Sequence, residues 1–147
     1  MPNLLYLAIA ALSGAAMALQ GTLNTALGKI VGTWESTLVV HVVGTVASLL
    51  IIIILGLGFS SLGKMGNVPW YAYLGGILNV VIVYAVVRSM SQIGVGNATT
   101  AIITAQLVMA LIIDCTGAFG MKKIAFHYID LLGIALLVAG ARIIFME

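Results

Sequence analysis

The sequence predicts an all-α integral membrane protein with five transmembrane helices per subunit, and three observations carry that prediction. First, of 147 residues 63% are hydrophobic and 7% are charged, with a mean hydropathy of +1.24. A soluble domain carries about a quarter charged residues, so this composition lacks the material for a water-facing surface. Second, the apolar residues gather into five stretches, each close to the roughly 20 residues that cross about 30 Å of hydrocarbon. Third, those stretches use nearly the whole chain and leave no loop long enough to fold as a domain. Function must therefore reside in the helices or at their ends. The same composition excludes a water-soluble enzyme, and a net charge of +2 is too small for a nucleic-acid footprint.

The expected spans are 4–27, 37–57, 70–87, 98–118 and 128–145, together one transmembrane domain over 1–147. The first lacks the basic flank of a signal peptide and is too long for its apolar core, so it reads as a span. The second contains the run from Leu49 to Leu55, and the third follows Pro69, which suits a first helical position. Turn residues fill the gaps, and Trp34, Trp70, Tyr71 and Tyr128 stand near span ends, where aromatic belts form. The single Cys115 excludes an intrachain disulfide.

Five spans place the termini on opposite sides. Lys64, Lys122 and Lys123 then fall on one side, and Lys29, Arg88 and Arg142 on the other. Orientation follows the Lys/Arg difference across short loops, and here that difference is zero. Either an unseen partner or the order of insertion fixes the orientation, or copies insert both ways and pair antiparallel. An odd span count favours antiparallel pairing, because two such units form an inverted repeat without a linking helix.

Polar residues inside apolar spans are the functional candidates, because an amide or ionisable group in hydrocarbon is costly. On the first span Ser13, Met17, Gln20 and Asn24 share one helical face. Gly14, Ala18, Gly21, Thr25 and Gly28 form a small-residue stripe beside it, suited to close helix packing. Gln20 and Asn24 either line a substrate cavity or act as interhelical glue. On the second span Thr37, His41, Gly44 and Ser48 share a face, with Glu35 near its start. Histidine changes charge near neutral pH, so His41 is either a proton carrier or a satisfied interfacial residue. Glu35 either couples an ion or complements the positive end of the helix dipole.

The third span offers Gly75, Gly76 and Asn79. On the fourth, Thr99, Thr100, Ile103, Gln106, Ala110 and Asp114 form a semi-polar face. Asp114 either carries a coupling ion or pairs with Lys122 or Lys123. Asp130 opens the fifth span, where the dipole favours a carboxylate, and Arg88 and Arg142 suit snorkelling to head groups. Cys115, His41 and His127 have neither nucleophile-pair nor metal-ligand spacing, so no metal and no cofactor is expected. Gly94-Val95-Gly96 lacks the flanking strand and further glycines of a phosphate loop and reads as a turn.

Several stretches stand in a familiar order: Gln20-Gly21-Thr22-Leu23-Asn24-Thr25-Ala26-Leu27-Gly28, Trp34-Glu35-Ser36, His41-Val42-Val43-Gly44, Tyr73-Leu74-Gly75-Gly76, and Ala105-Gln106 through Ile113-Asp114 to Gly117 and Gly120. In these the chain resembles the YdcZ family of small bacterial inner-membrane proteins, within the drug/metabolite transporter superfamily. It departs from the family at Ala105, where glycine is usual, and at Cys115-Thr116, where His-Phe is usual. The resemblance implies a five-span exporter subunit that works in pairs, as antiparallel homodimers, as oppositely oriented heterodimers or as ten-span fusions. The related small multidrug resistance proteins rely on an acid in their first helix, where this chain has Gln20 and no acid.

The expected protein is thus a secondary transporter in the inner membrane, exporting a small metabolite or drug-like compound by alternating access in an antiparallel homodimer. Gln20, Asn24, Asn79 and Gln106 are the expected cavity residues, and Glu35, His41 and Asp114 the expected ion couplers. Gly14, Gly21, Gly28, Gly44, Gly75 and Gly76 are the expected packing positions. The alternatives are a dual-topology channel for a small ion and a helper subunit that transports nothing. Lipid, a small solute and a second copy are the expected partners.

Overall fold

A computed structural model describes residues 4–145, and every regular element among them is helical. The elements are α1 (Leu4–Val31), α2 (Thr33–Ile54), α3 (Leu74–Ile93), α4 (Val95–Thr116) and α5 (Tyr128–Ile144), with short 3-10 turns at Ser60–Asn67, Trp70–Tyr73 and Ala118–Gly120. Four helical stretches are long and apolar enough to cross a membrane: α1, α2, α4 and the continuous stretch Trp70–Ile93. The fifth helix is apolar but has 17 residues, or about 26 Å of rise.

The helix ends differ from those expected at three places, each with a local cause. α1 runs through Gly28 to Val31 because Gly28 is packed inside the helix rather than released into a turn. The break falls at Gly32, whose φ of 101° disfavours any side chain, so α2 starts at Thr33 instead of at 37. At its other end α2 stops early: the Gly56 and Leu57 N–H groups close back on the Ile53 and Ile52 carbonyls, both at 3.1 Å, which is the Schellman pattern. The expected gap between the third and fourth spans narrows to Gly94, at φ 80°. Ser89 and Ser91 stay helical by donating to the Val86 and Arg88 carbonyls at 3.1 and 2.8 Å.

The chain divides into two compact units, Met1–Ser91 and Gln92–Glu147. In the first, α1, α2 and α3 meet most closely where Gly28 faces Val87 and Ser36. Val87 is 1% exposed and Ser36 is fully buried. One to two turns away Gly21 lies against Met90 and Val86, and Trp34 stacks on Tyr84 with ring centroids 4.2 Å apart. The Tyr73 hydroxyl donates to the Met65 carbonyl at 2.8 Å and ties the 3-10 turn to the start of α3. In the second unit α4 ends at Gly117, whose N–H reaches the Ile113 carbonyl at 2.8 Å. The Ile124 N–H then returns to the Asp114 carbonyl at 2.8 Å, and α5 opens with the His127 N–H donating to Asp130 Oδ2 at 2.9 Å.

Long runs of Leu, Ile and Val lie exposed along these helices, from Leu4 on α1 to Ile144 on α5. Water does not tolerate such continuous apolar surface, and lipid does. In the first unit the helices meet at small residues rather than around a thick apolar core.

Candidate functional site

Against that apolar exterior, one polar cavity in the first unit stands out. It has a volume of about 310 Å³ and is lined by Gln20 from α1, by Val40, His41, Gly44, Thr45 and Ser48 from α2, and by Asn79 and Val83 from α3. Because α2 begins at Thr33, His41 lies two turns inside it, and the lining reaches from about 12 Å to about 23 Å along a helix of about 33 Å. Gln20 likewise sits about 24 Å along the roughly 42 Å of α1. Asn79 lies about 7.5 Å along the roughly 30 Å of α3, so the three helices bring their polar groups together inside their apolar stretches rather than at the loops.

Hydrogen bonds order the lining. His41 Nδ1 is 2.7 Å from the Thr37 carbonyl, and its Nε2 is 3.0 Å from Asn79 Nδ2. A carbonyl can only accept, so Nδ1 carries the proton, and the bare Nε2 of the neutral ring accepts from the Asn79 amide. This bond joins α2 to α3 across the cavity wall. Thr45 donates to the His41 carbonyl and Ser48 to the Gly44 carbonyl, both at 2.8 Å. Each hydroxyl thus spends its hydrogen inside its own helix and keeps oxygen lone pairs for the cavity.

The sequence marked Gln20 on α1, the face of His41, Gly44 and Ser48 on α2, and Asn79 on α3, and the fold brings all five to this one cavity. Asn24 does not line it; one turn along α1 it is buried, at 8% exposure. Glu35 folds its carboxylate back against Gly32 at the start of α2, where the helix dipole favours a negative charge. Thr45 was not singled out, although it lies four residues after His41 and so on the same helical face.

The glycines divide similarly. A Cβ on Gly21 or Gly28 would press into neighbouring side chains, whereas at Gly14, Gly44, Gly75 and Gly76 it would meet nothing within 4 Å. The first pair lies at contacts between helices; the other four, expected as packing positions, make no close helix contact within the chain, and Gly44 lines the cavity.

In the second unit Gln106 is exposed on α4 and lines none of the cavities described there. Asp114 is half-buried and, from α4, lines a mostly apolar cavity of about 390 Å³ to which α5 contributes Asp130. Arg142 does not simply reach away from the protein: its Nη1 donates to Asn97 Oδ1 at 2.8 Å, and Asn97 Nδ2 donates to the Ile93 carbonyl at 3.1 Å. The Phe145 ring closes over Gly96 beside them. Thr99 Oγ1 is buried without a hydrogen-bond partner.

A comparison with protein families matches residues 5–143 to the family described as "Putative inner membrane exporter, YdcZ". No curated protein and no solved structure matches the chain. The match runs from the first turn of α1 to the last turn of α5 and takes in every helix that builds the polar cavity; the chain belongs to the YdcZ family of inner-membrane exporters and is a multi-pass inner-membrane protein.

Proposed function

We propose that this chain is the five-span subunit of a secondary transporter, one transmembrane domain that pairs antiparallel with a second copy and exports a small solute by alternating access. The observation that carries the proposal is the polar cavity lined by Gln20, His41, Thr45, Ser48 and Asn79, within helices whose other faces are lipid-like. Polar groups at that depth are tolerated where they face protein or a water-filled path, and they mark solute pathways. Gln20 and Asn79 hold the solute, and His41 lies beside it. Asn24 on α1, Glu35 at the start of α2, and Gln106 and Asp114 on α4 are secondary groups in this reading.

Antiparallel pairing is supported by the tie of three basic residues against three that a five-span topology gives. A two-fold axis in the membrane plane turns a cavity open to one side into one open to the other, which is the geometry of inverted-repeat transporters. The test is orientation. A topology reporter fused after Glu147, which lies outside the described residues, is expected to give comparable signal on both sides of the membrane. Signal on one side alone would remove the homodimer and require an oppositely oriented partner.

A further inference from the structure

The hydrogen-bond pattern of the cavity points to more than a place for a solute. We infer that it takes a small, uncharged solute rich in hydrogen-bond donors, of the polyol kind, and that this solute and a proton on His41 exclude one another through rotation of the Asn79 amide. The inference rests on the transporter reading above for its location and deepens it by naming the substrate class and the coupling.

The solute class follows from what the walls present. Thr45 Oγ1 and Ser48 Oγ have given their hydrogens to backbone carbonyls, so each offers lone pairs alone. Asn79 has committed one N–H to His41 and keeps its Oδ1 and one N–H. Gln20 adds a complete amide. Acceptors therefore outnumber donors, and a ligand carrying O–H or N–H groups completes them. No carboxylate stands among the lining residues. An organic cation would thus lie at membrane depth without a counter-charge, which is heavily disfavoured. With His41 neutral the walls are equally short of positive charge for an anion.

The coupling follows from the two bonds of His41. Thr37 fixes the proton on Nδ1, so a second proton must enter at Nε2. There it meets the Asn79 N–H, which already points at Nε2. Two donors cannot share that contact, and the amide must turn over to present Oδ1 to the imidazolium. The turn withdraws one acceptor from the cavity, brings its NH₂ toward the space the solute's donors occupied, and leaves a positive charge beside it. All three changes weaken a donor-rich solute. The elements packed around His41 also carry Tyr6 and Lys29 on α1, Glu35 on α2, and Tyr84 and Arg88 on α3, and none of these lines the cavity. His41 is thus the titratable group among the lining residues. A site that holds either a proton or a solute, but not both, is what exchange of one against the other requires.

The test uses the full chain in lipid nanodiscs, with ¹⁵N-labelled histidine and asparagine and His127→Gln to leave one histidine signal. Xylitol is the neutral probe and tetramethylammonium the cationic one. Neutral His41 is expected to be protonated at Nδ1 and bare at Nε2, and the Asn79 side-chain amide signals are expected to move in step with the second protonation. Xylitol is expected to bind about tenfold or more weakly once His41 is doubly protonated, with Asn79→Ala reducing that dependence and tetramethylammonium failing to bind. The inference is overturned by an Nε2-protonated neutral ring, by Asn79 signals indifferent to His41, or by xylitol affinity that does not change with its protonation. Flux in liposomes separates the two readings. Transport of tetramethylammonium without xylitol binding leaves the transporter and removes this inference. Proton-linked xylitol binding with no flux of either probe does the reverse.

Discussion

Gly28→Ala is expected to destabilise the first unit by about 1–3 kcal/mol, out of proportion to the single methyl group added. The new Cβ would stand 2.7 Å from Val87 Cγ1 and 3.1 Å from Ser36 Oγ. Val87 and Ser36 are both buried almost completely, so neither has free volume to move into, and the strain is forced onto the backbones of α1 and α3. Gly21→Ala supplies the contrast. Its closest neighbours are Met90 Cε at 2.9 Å and Met90 Sδ at 3.0 Å, the far end of a flexible side chain, with Val86 Cγ1 at 3.0 Å. Methionine adapts by rotating, so the cost there is expected to stay below about 1 kcal/mol. Thermal unfolding in detergent reads both variants. Combining Gly28→Ala with Val87→Ala should recover part of the loss, a favourable coupling that distinguishes a steric clash from a general weakening. Equal melting of Gly21→Ala and Gly28→Ala, or no recovery in the double variant, would show that the two glycines do not hold the helices as described.

The second large effect is expected on activity alone. Gln20→Leu and Asn79→Leu should each lower solute flux about tenfold or more, the loss that follows when a bound ligand forfeits a hydrogen bond and leaves its own polar group unpaired. Both side chains are exposed within the isolated unit. Replacing Gln20 therefore removes no contact on which the helix packing depends. Asn79 also leaves His41 Nε2 without its donor, so its variant is expected to alter pH dependence as well as rate. Unfolding midpoints should stay near that of the parent chain for Gln20→Leu. Flux retained in both variants would place the solute elsewhere. Flux lost together with folding would make the two amides structural glue.

Much of this architecture was legible in the sequence, and the parts that were not have identifiable causes. Composition and run length pointed to the membrane class and to five apolar stretches, of which four are helices long enough to cross a membrane and the fifth has 17 residues. The first span was expected to end at 27, just before Gly28, yet the missing Cβ of Gly28 lets Val87 and Ser36 approach and the helix continues past it. That shift carried the start of α2 back to Thr33 and moved His41 from a span end to two turns inside. The stretch Ser89-Met90-Ser91-Gln92 read as a polar loop, but both serines return their hydroxyls to helix carbonyls and Met90 packs on Gly21.

The site was legible in fragments. A period of 3.6 residues tells which side chains share a face and not which faces meet. Gln20, His41 and Asn79 could therefore each be singled out on its own helix, while the bond from Asn79 to His41 required the fold. Thr45 was hidden for a related reason, since a threonine inside a span ordinarily bonds to its own backbone. It does so here and still offers its oxygen to the cavity.

The most direct measurement is water access to the cavity from each side of the membrane. Ser48→Cys in a Cys115→Ser background leaves one thiol, on the cavity wall, to be challenged with a membrane-impermeant maleimide in right-side-out and in inverted vesicles. A solute path that alternates within an antiparallel pair predicts labelling in both preparations. A thiol that reacts in neither, or in one alone, would contradict it.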